Sequence, residues 1–278
     1  MRVISKPNIN PDIVYLECLD GIRDEAKRDK FRSVEHYIKS QSILYNNKAL
    51  VADLYTIATH NGVNNILTTD DMKKVLYSQQ MVARPKGRKI YDKIMSLAPL
   101  NKCPFCGIGM VTTLDHYLPK AKFPTFSVLP YNLVPSCKDC NTGKSTSYAT
   151  TKEKQTLHPY YDDFLDEQWL FAEVKQTSPV SIRFFVDVPH VRSHVDKSRV
   201  EAHFIEYNLG KRFSVEASNA LANLKEEFTL FPLEQEAIKR ELNKKAISFQ
   251  KRYLNSWESA LYKALSESDW YCNGGFKV

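Results

Sequence analysis

Cys103-Pro-Phe-Cys106 and Cys137-Lys-Asp-Cys140 bracket the stretch whose reading decides the fold. Three short motifs lie within or just beyond it: Thr113-Leu-Asp115-His116-Tyr-Leu-Pro119-Lys120, Pro130-Tyr-Asn132-Leu-Val-Pro135 and Asn141-Thr-Gly143-Lys144. A two-residue spacer lets both thiolates of a C-x-x-C pair converge on one ion, and two such pairs complete the tetrahedral four-sulfur shell that structural zinc prefers. With cysteine at Cys103, Cys106, Cys137 and Cys140, no coordination position stays open to water, so this zinc is expected to be structural. Ligation energy is also folding energy, and it restrains residues 107–136 between the pairs. Cys18 and Cys272 lie far from the pattern and are expected to pack in the core.

The enclosed residues carry the groups that phosphodiester hydrolysis needs: an activated water, a cation against the phosphoryl oxygens, and stabilisation of the departing oxygen. His116 titrates near cellular pH, so its neutral form can accept a proton from water. Asp115 is a hard oxygen ligand suited to magnesium or manganese, and Asn141 offers a carbonyl oxygen as a second ligand. On a strand Asp115 and His116 point to opposite faces, unless the backbone bends or a hairpin end lets both line one site. Lys144, Lys120 and Lys122 could each meet a phosphate, or could equally be solvated charges.

The ordered pattern C-x-x-C, D-H-x-x-P, N-L-V, C-x-x-C-N-x-x-K, over residues 101–148, resembles the HNH nuclease family, whose ββα-metal fold is a β-hairpin followed by a helix. The resemblance implies an endonuclease in which Asp115 and Asn141 hold the catalytic magnesium or manganese and His116 is the general base. Asn132 matches the middle letter of the family name, which implies that its side chain orients the loop and the base. It also implies 5′-phosphate and 3′-hydroxyl products. The family name calls for a final histidine where this chain has Asn141, and losing that imidazole argues for an oxygen-preferring ion over nickel or zinc at the catalytic centre.

Around this segment the chain reads as mostly helical α+β, with a small ββα-metal HNH module and its zinc site inserted between helical flanks. Three segments are expected: a helical region 1–98, the nuclease module 99–150, and a region 151–278 of short strands followed by long helices. Apolar residues from Pro11 to about Ala58 recur at helical spacing and suggest two helices. A third is signalled by Thr68-Thr-Asp70-Asp71 ahead of MKKVLYSQQMV. Arg84-Pro85-Lys86-Gly87-Arg88-Lys89 reads as a loop with a short helix after it. The runs WLFAEV and SIRFFVDV read as paired strands, followed by helices over residues 216–230 and 234–265 with a Leu233-Ile238-Leu242-Ile247 stripe.

The 278 residues carry 39 Lys and Arg against 32 Asp and Glu, a formal charge of +7 that suits a polyanionic partner. DNA is the expected one, and RNA is not excluded by charge. Neither an apolar run of spanning length nor a signal peptide is visible, so no membrane partner and a cytoplasmic location are expected. In that reducing compartment the six cysteines read as metal ligands or free thiols and not as disulfides. His158, four residues before Asp162, could be a metal ligand or a turn histidine bonded to backbone. His36, His60, His190, His194 and His203 show no partner pattern and read as structural.

The whole chain, with HPYYDDF and the terminal NSWESALYKALSESDWYCNGGF, also resembles stand-alone HNH effectors of bacterial antiphage systems of the Septu type, including retron-associated ones. This resemblance implies antiviral defence beside an ATPase subunit. Trp257, Tyr262, Trp270 and Tyr271 could then anchor a partner, or could simply pack a core. The competing reading is a zinc module that binds nucleic acid or serves as an assembly subunit without cutting. The Asp115, His116, Asn132, Asn141 set discriminates between the two, because binding alone has no use for a general base.

Overall fold

The structure is a computed structural model that describes residues 2–164, 166–189 and 192–278. His190, read as structural above, lies outside the described residues. The fold is mostly helical α+β, with three small antiparallel strand pairs. The chain divides into two compact units, residues 2–162 and 163–278, and the cysteine-bearing segment 99–150 lies in the first together with the helices of residues 2–98. No helix among the described residues is long and apolar enough to cross a membrane.

The first unit opens with α1 (Pro11–Asp20), α2 (Glu25–Arg32) and α3 (Glu35–Leu50), one helix more than the apolar periodicity suggests. Local chemistry explains the division. Asn10 accepts the Asp12 N–H with Pro11 at the first helical position, and Asp24 accepts the Lys27 N–H to start a second helix. After the short strands β1 (Gly62–Val63) and β2 (Leu67–Thr68), Thr68 and Asp71 exchange hydrogen bonds and open a wide π-type helix, Asp71–Val82.

The expected loop at residues 84–89 is instead the start of α4 (Pro85–Met95). Pro85 sits at the first helical position, where a missing N–H costs nothing. Gly87 is there for closeness and not for a turn: a Cβ would lie 2.3 Å from the Gln80 carbonyl oxygen and 2.5 Å from the Met81 Cα. These helices share a core of Val14, Leu19, Phe31, Met72, Leu76, Met81 and Ile94, and Leu114 and Leu133 join it from the next strand pair. That pair is therefore fastened to the helical wall by its own side chains.

In the second unit β5 (Leu170–Lys175) and β6 (Ser181–Val186) pair antiparallel, as the two β-prone runs suggest. Four helices follow: α6 (His194–Glu206), α7 (Leu209–Leu230), α8 (Gln235–Arg252) and α9 (Trp257–Ser266). The short α10 (Asp269–Cys272) closes the unit. The expected long helix over 234–265 is thus two helices. Asn255 breaks it, because its side-chain oxygen accepts the Trp169 and Leu170 N–H groups while its amide donates to the Phe164 and Glu167 carbonyls. The α8 stripe runs Ile238, Leu242, Ala246, with Leu233 and Ile247 both 45% exposed. Tyr271 is buried, and Phe249 stacks on Tyr262 at 5.4 Å.

Candidate active site and metal centre

The cysteine pairs meet in the first unit. Cys103, Cys106, Cys137 and Cys140 are buried, and their sulfurs all lie within 4.8 Å of one another. A tetrahedral shell with zinc–sulfur bonds of about 2.3 Å places its sulfurs about 3.8 Å apart. Cys106 Sγ and Cys137 Sγ stand at 3.8 Å, and all six cysteines are free thiols. The turn just after the first pair is shaped for this: Gly107 has φ +76°, its N–H bonds the Cys103 carbonyl, and the Gly109 N–H points at Cys106 Sγ from 3.4 Å. Contacts among the sulfurs, led by Cys103, pull the Cys137 thiol down to about 6, while burial pushes Cys103 up. Four thiols crowded in one dry place cannot all ionise without a cation among them, and the donor set could hold one zinc ion.

Directly after this knuckle, β3 (Thr113–His116) pairs with β4 (Leu133–Ser136), Asp115 opposite Val134 and His116 opposite Leu133. The helix α5 (Lys138–Lys144) follows at once, starting inside the second cysteine pair. Leu114 turns to the helical wall, where its N–H meets the Tyr91 hydroxyl at 3.1 Å. Thr113 and Asp115 alternate away from Leu114 and meet α5. Asn141 donates from Nδ2 to Thr113 Oγ1 at 3.3 Å, and Lys144, one turn on, brings its ammonium 3.5 Å from Asp115 Oδ2.

His116 is 3% exposed and its ring is fixed on two sides. Nε2 donates to the Ser127 carbonyl at 2.8 Å, and the Tyr77 ring meets it edge-on at 4.6 Å. That hydrogen bond selects the tautomer, putting the proton on Nε2 and leaving Nδ1 as the basic nitrogen. Burial first, and then the Lys120 charge, hold its pKa well below the usual range against the opposing pull of the Ser127 carbonyl. The ring is therefore neutral at cellular pH. Lys120 is half-buried, with its ammonium 4.8 Å above the Tyr77 ring. Burial lowers its pKa, and the Asp115 charge opposes this without cancelling it.

Asp115 is 3% exposed, and its Oδ2 makes no hydrogen bond. Burial pushes its carboxyl above the usual range, and the Lys144 ammonium opposes this without cancelling it. A buried carboxylate oxygen lacking a hydrogen bond costs free energy, and a divalent cation would repay it. Asn141 Oδ1 accepts no hydrogen bond from the described residues, since only its Nδ2 is engaged. A hard oxygen-ligated cation fits this donor set.

Asn132 is fully buried and uses every position of its amide. Oδ1 accepts from the Leu118 N–H at 2.7 Å and the Tyr45 hydroxyl at 3.1 Å, and Nδ2 donates to the Leu118 and Phe126 carbonyls. It staples together the two ends of the loop that joins β3 to β4. Lys144 is 5% exposed and also donates to the His116 carbonyl at 2.7 Å, so it is a buried part of the site and not a solvated charge. Lys122 is exposed.

Comparison with known proteins finds no matching family model and no matching solved structure. Protein ea31 of Escherichia phage lambda is 31% identical over 281 residues, covering 93% of this chain and 94% of ea31. The chain belongs to the ea31 family. Septu protein PtuB of Bacillus thuringiensis is 29% identical over 96 residues, which is 33% of this chain and 37% of PtuB. The similarity to ea31 is thus one of whole chains, whereas that to PtuB is partial.

In this ea31 relative Lys144 joins the Asp115 carboxylate to the His116 carbonyl, Lys120 lies over the Tyr77 ring that meets the His116 ring, and Asn141 bonds Thr113. His158 is a buried turn histidine: its N–H donates to Asp162 Oδ2, and its Nδ1 accepts the Tyr160 N–H. Tyr77, Ser127 and Tyr45 are site residues that sequence reasoning missed. Tyr77 stands 39 positions before His116 on another element, and Ser127 acts through its backbone, so no side-chain motif marks either.

Proposed function

We propose that β3, β4 and α5, with zinc on the four cysteines, form an HNH-type ββα-metal module, and that the protein is a divalent-metal-dependent endonuclease acting on DNA. The observation that carries this reading is a tautomer-fixed histidine next in sequence to a buried carboxylate whose Oδ2 makes no hydrogen bond and faces the Lys144 ammonium at 3.5 Å. Neither feature helps a module that only binds. In this reading His116 Nδ1 takes a proton from water, the water oxygen bonds to phosphorus, and the bond from phosphorus to the 3′ oxygen breaks with its electron pair left on that oxygen, which takes up a proton from solvent water. Asp115 and Asn141 would hold magnesium or manganese, which when bound supplies positive charge to the phosphoryl group and the leaving 3′ oxygen. Lys120 faces the same space with a cation available to phosphate. The products are a 5′-phosphate and a 3′-hydroxyl.

The partial similarity to a Septu protein supports a role in antiphage defence, and the terminal sequence motifs support action beside an ATPase subunit. The test is incubation of the purified protein with plasmid DNA, single-stranded DNA and transfer RNA in magnesium, manganese or chelator. Plasmid cleavage should require metal. His116→Ala should lose roughly a hundredfold to ten-thousandfold in rate while zinc content and DNA binding persist. Cleavage by His116→Ala at the wild-type rate would return the zinc-module binding reading.

A further inference from the structure

A buried polar chain runs into the site from outside the cysteine-bounded segment. His158 Nδ1 accepts the Tyr160 N–H at 3.2 Å, so the ring proton sits on Nε2, which lies 3.2 Å from the Tyr45 hydroxyl. The hydroxyl accepts that proton's hydrogen bond and donates its own to Asn132 Oδ1 at 3.1 Å. Asn132, at the far end of the loop, in turn holds Leu118 at its start and the Phe126 carbonyl within it. Phe126 precedes Ser127, whose carbonyl fixes His116 Nε2.

Ring contacts run along the same route. Tyr45 meets Phe126 edge-on at 5.1 Å, and His158 lies 4.2 Å from the ring of Tyr117, the neighbour of His116. His158 is 1% exposed and Tyr45 fully buried, so neither can touch a nucleic acid. The Tyr160 N–H at the far end sets the direction of the chain by occupying His158 Nδ1.

We propose that His158 and Tyr45 are positioning residues for the reaction at His116, acting through Asn132 to hold the loop that aims the Ser127 carbonyl at His116 Nε2. The inference rests on the nuclease reading and adds to it two residues that lie outside the motif segment. A group that acts by placement alters the rate constant for a bound substrate and leaves substrate affinity alone.

The test is steady-state cleavage of a short DNA duplex in magnesium, with zinc content and far-UV circular dichroism recorded for each variant. Tyr45→Phe and His158→Leu should each lower kcat about tenfold and leave KM unchanged, and the double variant should lose no more than either single one. His158→Gln retains an N–H donor toward Tyr45 and should recover most of the rate. Amide hydrogen exchange gives a readout independent of activity: the Leu118 amide should exchange faster in Tyr45→Phe than in wild type. Wild-type kcat in both single variants would overturn the inference while leaving the nuclease reading in place. So would additive losses, or no recovery with glutamine. A wild-type protein that cuts no substrate would overturn both.

Discussion

Two asparagines, one in each unit, make nearly the same set of bonds. Asn132 accepts from Leu118 N–H and Tyr45 O–H and donates to the Leu118 and Phe126 carbonyls; Asn255 accepts from Trp169 and Leu170 N–H and donates to the Phe164 and Glu167 carbonyls. Both saturate a buried amide, which is the condition for burying one at all. They differ in what lies beyond the staple. Asn255 ties two N–H groups at the start of β5 to the break between α8 and α9, and its bonds end on backbone. Asn132 has a side chain behind it, Tyr45, and in front of it a loop that ends on His116. The same chemistry is structural in one unit and belongs in the other to the site proposed above, so saturated polar burial alone does not mark function.

The largest effect expected from this comparison is at Asn132. Asn132→Ala removes the partners of the buried Leu118 N–H and carbonyl and of the Tyr45 O–H donor, each costing about 1–3 kcal/mol when left unpaired, while the Phe126 carbonyl keeps the Leu129 N–H. Thermal stability should fall and plasmid cleavage should be lost even at temperatures where circular dichroism shows the protein folded. Cleavage at the wild-type rate in folded Asn132→Ala would make the two asparagines equivalent and remove Asn132 from the site.

Asn255→Ala strands the Trp169 and Leu170 N–H groups and the Glu167 carbonyl, while the Phe164 carbonyl keeps the Trp169 indole N–H, and it should cost a similar amount of stability, about 3 kcal/mol or more. Its signature is different. All three tryptophans, Trp169, Trp257 and Trp270, lie in the second unit, so tryptophan fluorescence during urea unfolding reports on that unit directly. The midpoint should drop, while cleavage per folded molecule stays at the wild-type value. A lost cleavage rate in folded Asn255→Ala would show that the second unit supports the chemistry as well.

What the sequence discloses divides along the same line. The four cysteines are legible because a C-x-x-C spacer sets ligand geometry locally, and β5 and β6 because alternation and β-branched residues act over a few positions. Asp115, His116 and Asn141 are legible as chemistry, and Asn132 only through resemblance. Tyr45 is 87 residues from Asn132 and 113 from His158, and Asn255 is 86 from Trp169; no local pattern carries contacts of that span. The break in the 234–265 helix went unread for this reason, since Asn255 acts on a strand remote in the chain. Lys144 is ambiguous in sequence because a lysine at a helix end is usually solvated, and only the fold shows Asp115 and the His116 carbonyl waiting for it.

The smallest effect sharpens the reading of the second unit as packing governed by helical period. Ala246 is 1% exposed and continues the Ile238, Leu242 spacing, whereas Ile247, the residue that hydrophobicity alone favours, is 45% exposed. A helix buries whichever side chain falls on its inner face, and a step of four from Leu242 lands on the alanine. Ala246→Gln forces a larger polar side chain into packed surroundings and should cost about 1–3 kcal/mol. Ile247→Gln exchanges one half-exposed side chain for another and should stay within about 0.5 kcal/mol of wild type. Urea midpoints by tryptophan fluorescence compare the two directly. Cleavage should be unchanged in both, because Ala246 and Ile247 belong to the second unit and the proposed site is built from residues of the first. Equal midpoint shifts would mean that the α8 stripe is set by hydrophobicity and not by period, and a larger shift at Ile247 would move the buried face of α8 by one residue.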